Sequence, residues 1–288
     1  MNYTRNLLTI AAVAAALGAQ DAAWATESAS PQSGSASSPR AFGLSSDNGL
    51  VRFSLDRPSR ERFIGYIGGL ISDTQVIGID FRVQDGLLYA VGDQGGIYTV
   101  DTKNAQAALV ERLDIAPQGT SFGIDFNPAA DALRVISDTG QNLRHPFSGP
   151  TQFVTQDDLF LRNPPVPPAV AVPRTGIGAA AYTNNDLSPE TGTTLFDLDL
   201  ALDQTLVQSP ANSGNVVASG NLRVDGAPVG GFDVYSRVRG GVAVQNQGYA
   251  ALTIGDGYRL YRVNLLTGRA SLAGRFDVPV FDIAIELD

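Results

Sequence analysis

Cysteine is absent from the chain, and His145 and Lys103 are its only histidine and lysine. Without cysteine there is no disulfide framework, no thiolate zinc site, no iron–sulfur cluster and no cysteine nucleophile. With one histidine, no multi-histidine metal site forms within a single chain. Charged residues make up only 17% of the 288 positions, and the net charge is −9. An acidic chain with scattered arginines lacks the basic face that phosphate neutralisation needs, so nucleic acid is not an expected partner. What is abundant is apolar surface (43%) and glycine (31 residues), which suits a large, turn-rich fold rather than a disordered chain.

Residues 1–25 read as a secretory signal. Arg5 supplies the positive start, an apolar run follows from Leu7 to Gly18, and Ala23-Trp24-Ala25 fits the small-x-small rule, so cleavage is expected after Ala25. The run is too short to span about 30 Å of hydrocarbon. Residues 26–40, rich in Ser, Pro, Ala and Gly, are expected to form a flexible leader. From 41 to 288 no further run approaches membrane length, so no membrane span is expected in a mature, exported (periplasmic or secreted) chain.

Residues 41–288 repeat a pattern at roughly 45 to 55 residues, the sign of a repeat architecture. One unit is a short alternating strand: Phe53-Ser54-Leu55-Asp56, Tyr98-Thr99-Val100-Asp101, Phe196-Asp197-Leu198-Asp199 and Tyr261-Arg262-Val263-Asn264. Upstream of such strands lie tight turns, Ser46-Asp47-Asn48-Gly49, Gly92-Asp93-Gln94-Gly95, Ser137-Asp138-Thr139-Gly140 and Gly255-Asp256-Gly257, with Thr183-Asn184-Asn185 taking that place in the fourth repeat. An apolar strand carries an aspartate, at Asp80, Asp125, Asp233 and Asp282. These stand 45, 108 and 49 residues apart, so one copy, expected between Val170 and Ala181, has lost its aspartate.

Four antiparallel strands repeated five times predict an all-β, five-bladed β-propeller. The first repeat lacks an aspartate strand and the chain ends on an unpartnered one, so the C-terminal strand is expected to complete the first blade and remove two open edges. Six blades are the alternative, should residues 155–183 hold another. The longest irregular segments are 156–176, which includes Asn163-Pro164-Pro165-Val166-Pro167-Pro168, together with 184–192 and 208–229. All three are expected on the face shared by the strand-two-to-three turns and the blade-to-blade links, making a loop-rich surface around blades three to five.

The stretches AFGLSSDNGLVRFSLD, VIGIDF, LLYAVGD, IYTVD, SFGIDFNPAADALRVISDTGQNLR, AAAYTNN, TTLFDLD, GGFDV and LYRVNLLTG, in this order, resemble a bacterial family of exported, propeller-like domains, domain-of-unknown-function family 4394 (DUF4394). The resemblance covers about residues 41 to 288. It implies an exported β-propeller without an assigned activity and carries no catalytic residues over.

Two sets of residues stand out. Asp80, Asp125, Asp233 and Asp282, on equivalent innermost strands, would converge on the axis. There they would either accept backbone N–H bonds from neighbouring blades or ring a hard cation such as calcium. Two carboxylates about 8 Å apart repel by roughly 2 kcal/mol at an effective dielectric near 20, so such a ring needs donors, protons or a cation. The second set breaks the repetition: Asn127, Arg134, Ser137, Asp138, Asn142 and Arg144 in blade three, with Tyr182, Asn184 and Asn185 in blade four. Polar groups on adjoining loops can orient a ligand, and Arg134 with Arg144 would clamp a carboxylate or sulfate. His145 precedes a proline and has no partner for a catalytic triad. The expected function is a binding module taking a small molecule, glycan or protein on its loop-rich face. The alternatives are a calcium-type, cation-dependent hydrolase using the axial carboxylates, and a purely structural surface protein.

Overall fold

A computed structural model describes residues 38–158, 160–164, 170–226 and 229–288. The signal segment, most of the leader and positions 165–168 of the proline run lie outside the described residues. No helix among the described residues is long and apolar enough to cross a membrane.

Residues 38–288 form a five-bladed propeller of four-stranded antiparallel sheets. From the axis outward, blade two is β4 (Val76–Arg82), β5 (Leu87–Gly92), β6 (Gly96–Val100) and β7 (Ala107–Arg112). Blade three is β8 (Phe122–Asn127), β9 (Ala132–Ser137), β10 (Asn142–Pro146) and the two-residue β11 (Gln156–Asp157). Blade four is β14 (Ile177–Tyr182), β15 (Leu195–Asp199), β16 (Gln204–Gln208) and β17 (Val216–Asn221). Blade five is β18 (Gly230–Arg239), β19 (Val242–Ile254), β20 (Gly257–Val263) and β21 (Ala270–Phe276). Blade one is β22 (Asp282–Ile285), β1 (Arg40–Leu44), β2 (Gly49–Ser54) and β3 (Arg57–Tyr66), so the last strand of the chain is the innermost strand of the first blade. The pairing Ala41↔Ile285 through Leu44↔Asp282 closes the ring. Among the described residues no sixth blade lies between blades three and four; a small two-stranded pair stands there, β12 (Arg162–Asn163) with β13 (Val172–Pro173).

Because side chains alternate across a strand, each blade sends one set of residues to the blade before it and the other to the blade after it. Five apolar cores result, one per blade junction. Phe42, Leu44 and Leu50 of blade one meet Ile79, Phe81 and Leu88 of blade two. On β9, Leu133 and Val135 face blade two, while Ile136 meets Ile177, Ala180 and Leu206 of blade four. Phe53 packs edge-on against Phe276 across the closing junction, with ring centroids 4.9 Å apart.

The fourth blade departs from the sequence reading. Phe196-Asp197-Leu198-Asp199 lies on β15, the second strand, where the aromatic unit of other blades occupies the third. Accordingly Thr183-Asn184-Asn185 opens the connection between strands one and two rather than a two-to-three turn. Strand direction alternates, so segment 184–192 lies on the opposite face from the blade links. Segment 208–229 divides into a three-to-four turn on that opposite face, then β17, then a link. The three long segments therefore do not share one face: the described residues after β11 and after β17 belong to links, whereas 184–192 and 209–215 lie on the other side.

Strands β18 and β19 are ten and thirteen residues long, and their hairpin ends in Gly240-Gly241. Both glycines have positive φ, 61° and 82°, which a two-residue turn of this hand requires and other residues resist.

Candidate functional site

The four predicted aspartates are all buried on the innermost strands. Each accepts a backbone N–H from a neighbouring blade. Asp282 Oδ2 takes Ile79 N–H at 2.7 Å, Asp80 Oδ2 takes Phe126 N–H at 2.7 Å, and Asp125 Oδ1 takes Tyr182 N–H at 3.1 Å. Asp233 takes Ile285 N–H at 2.6 Å and its own neighbour Val234 N–H at 2.5 Å. The donors Phe126 and Tyr182 align Ala181 with Asp125, so β14 is the strand that has lost its aspartate. Small residues allow the strands this close together: a Cβ on Gly123 would lie 2.5 Å from Ala180 N.

Carboxylate oxygens of Asp80, Asp125 and Asp233 come within 4.8 Å of one another, a set that Asp282 does not join. Burial first, and the neighbouring carboxylates second, hold Asp80 and Asp125 well above the usual carboxylate range. Burial does the same at Asp282. At Asp233 burial outweighs two backbone donors and raises the pKa to about 6. Chemically, the trio can share protons or supply three oxygens to a hard cation.

The second predicted set is dispersed. Arg134 is 2% exposed, and its guanidinium donates to Asn142 Oδ1 at 2.8 Å, Asp158 Oδ2 at 2.7 Å, Asn212 Oδ1 at 2.7 Å and, more distantly, Tyr182 Oη at 3.4 Å. Burial opposes its charge, yet these contacts hold its pKa above the ordinary value. Arg144 donates instead to Gln156 Oε1 at 3.0 Å. The two arginines therefore form no clamp: one is enclosed by acceptors and the other is turned to its own blade. Ser137 and Asp138 belong to the two-to-three turn, where Asp138 takes the Thr120 N–H and hydroxyl at 2.9 and 2.7 Å. Asn184 and Asn185 fasten the β18–β19 hairpin: Asn184 N–H donates to Asn246 Oδ1 at 3.0 Å, and Asn185 Nδ2 to Val234 O at 3.1 Å. His145 is a core residue, its Nδ1 3.0 Å from Thr155 Oγ1 and its ring stacked on Phe153. Burial lowers its pKa.

Arg134, Asn142 and Tyr182 thus meet in one polar cluster between blades three and four. Asp158, Asn212, Gln208 and Asp197 complete it, and sequence reasoning had not singled them out. Asp197 is fully buried with no hydrogen-bond partner on either oxygen, and burial pushes its pKa well up against the opposing charge of Arg134. In the sequence it fills the polar slot of the repeated unit, as Ser54 and Thr99 do. Those are partly exposed on third strands; Asp197 is fully buried on β15, a second strand that lies one position nearer the axis.

Beside this cluster, on the face of the one-to-two and three-to-four turns, opens a cleft of about 250 Å³ lined by Asn127, Tyr182, Thr193, Thr194, Gln208 and Ser209 among others. A second cleft, about 410 Å³, lies at the axial mouth on the link face, between Gln75, Ile77, Thr120, Phe122, Val229 and Phe281.

A family model described as Domain of unknown function (DUF4394) matches residues 49–284. No curated protein sequence matches the chain. Among solved structures, the chain is similar to one in a nidogen/laminin complex (11% identity, TM-score 0.46, covering 86% of this chain and 98% of that one). It is also similar to a protein from Lactobacillus plantarum (13%, TM-score 0.40, 86% and 99% covered). A third is a structural-genomics protein of unknown function from Bacteroides thetaiotaomicron (12%, TM-score 0.44, 88% and 66% covered).

Proposed function

The chain belongs to the DUF4394 family, and on that premise we propose that it is an exported binding module whose ligand docks in the cleft between blades three and four. The observation that carries this reading is convergence. Asn127, which breaks the repeat, and Tyr182, whose hydroxyl has no counterpart in Phe81 and Phe126 at the same place, line the cleft, and Arg134 and Asn142 brace it from behind. A residue outside the repeat pattern has no duty to the repeated fold, and a concave site with a few placed polar groups is the usual form of a ligand pocket. The surface keeps the expected blades but moves to the face opposite the links, because Thr193 and Thr194 at the end of the one-to-two connection and residues 209–211 of the three-to-four turn build its rim. The signal-like residues 1–25 support export, and the net charge of −9 argues for a small molecule, glycan or protein over nucleic acid. The reading is tested by following backbone amide shifts while a mixed fragment and glycan library is added. Shifts should gather at Asn127, Tyr182, Thr193, Thr194 and Gln208; shifts confined to Gln75, Thr120 and Phe281 at the axial mouth, or none, would reject it.

A second reading is favoured by the axial trio alone: a calcium-type ion on Asp80, Asp125 and Asp233, serving a hydrolase. It predicts that calcium raises the melting temperature, that a chelator reverses this, and that Asp125→Asn abolishes turnover in a folded protein. The binding-module reading predicts the same melting temperature with calcium and with chelator.

A further inference from the structure

Building on the binding-module reading, we infer that the cleft between blades three and four receives a neutral, hydroxyl-rich ring: one sugar residue, free or at the end of a glycan. Its floor is Gln208, only 2% exposed. The side-chain amide is oriented by two bonds, Nε2 donating to Ala211 O at 2.6 Å and to Asn142 Oδ1 at 3.2 Å. Oε1 is consequently left as a buried acceptor with no donor. Such an atom is costly unless something donates to it, and a ligand hydroxyl does so.

The neighbouring groups supply the complementary half. Tyr182 is likewise 2% exposed, and its Oη already accepts from Arg134 Nε, so its own proton is left to be given to a ligand oxygen. Asn127 spends Oδ1 on Ala130 N–H at 2.9 Å, which leaves its NH₂ as a donor. Thr194 and Ser209, both exposed, place hydroxyls at the rim. The lining thus offers acceptors and donors side by side, and no side chain lining it is charged. A carboxylate, phosphate or metal ion would find no counter-charge there, whereas each hydroxyl of a sugar both donates and accepts. Leu195, Pro210 and Ala211 give the C–H face of the ring an apolar wall. The volume, about 250 Å³, falls below the roughly 300–1,000 Å³ of pockets for drug-sized ligands and fits a single ring.

The test is calorimetric titration of the full chain with glucose, galactose, mannose, N-acetylglucosamine and myo-inositol, each to about 50 mM so that millimolar affinities register. A glycan array is run in parallel. At least one should bind. Tyr182→Phe should weaken binding about 10-fold, and Thr194→Arg, which fills the rim from outside the core, should abolish it with an unchanged melting temperature. Binding of free sugar, or binding only on the array, identifies which source supplies the ring; both support the inference. If no sugar binds while charged or apolar fragments still shift the cleft amides, the inference fails and the binding-module reading stands. If nothing in the fragment and glycan library shifts them, both fall. Sugar binding that survives Thr194→Arg also overturns the inference.

Discussion

Asp80, Asp125, Asp233 and Asp282 each hand an oxygen to a backbone donor of the next blade, which ties the ring together where the strands are most crowded. The bond needs an acceptor, not a charge. Asp80→Ala should orphan the buried Phe126 N–H and cost about 1–3 kcal/mol. Asp80→Asn keeps the acceptor and takes one ionisable group out of the crowded trio, so at pH 7 it should melt no lower than the parent. The same residues set a pH response. Their folded-state pKa values lie above the ordinary carboxylate value, with Asp233 at about 6, so the native state holds protons that the unfolded chain releases. The contribution of Asp233 to stability is present at about pH 4 and is lost as pH rises through about 6, and those of the other three run in the same direction. Thermal melts from pH 7 down to 4.5 should therefore show a rising midpoint, and a falling one would contradict the raised pKa values of the axial aspartates. At this scale the sequence was informative where a residue repeated, as the axial aspartates do. It was silent at Asp197 and Gln208, whose burial depends on which strand of the blade they occupy.

Strands announced themselves by alternation, and the hairpins by Asp-Gly and Asn-Gly turns, because both signals are local. Blade four shows the limit of that reading. Its TTLFDLD stretch has the letters of a third strand but sits second, since the long one-to-two connection from Asn184 to the start of β15 displaces the repeat by one strand. No local propensity records such a displacement; it is fixed by the pairing of β14 with β15 and of β15 with β16. The consequence reaches the candidate site. Once residues 183–194 are a one-to-two connection, Asn184 and Asn185 hold the β18–β19 hairpin and the last two residues, Thr193 and Thr194, reach the cleft.

Across the whole molecule, five apolar cores in five junctions leave no blade with a core of its own. Stability then depends on the ring being complete, and β22 completes it. Val280, Ile283 and Ile285 are each at most 3% exposed, and burial of such a side chain contributes about 1.5–3 kcal/mol. Losing all three would remove an amount comparable with the whole net stability of a domain, roughly 5–15 kcal/mol. The closure was legible in the sequence because an unpaired aspartate strand at the end matched a missing one at the start. The most direct test of the account is the thermal unfolding of a chain truncated before Val280. Cooperative melting should be lost, or its midpoint should fall far below that of the full chain, as blade one loses its inner strand and Ile79 N–H its acceptor. A truncated chain that melts in one sharp transition at the parent temperature would contradict the closed ring and everything placed upon it.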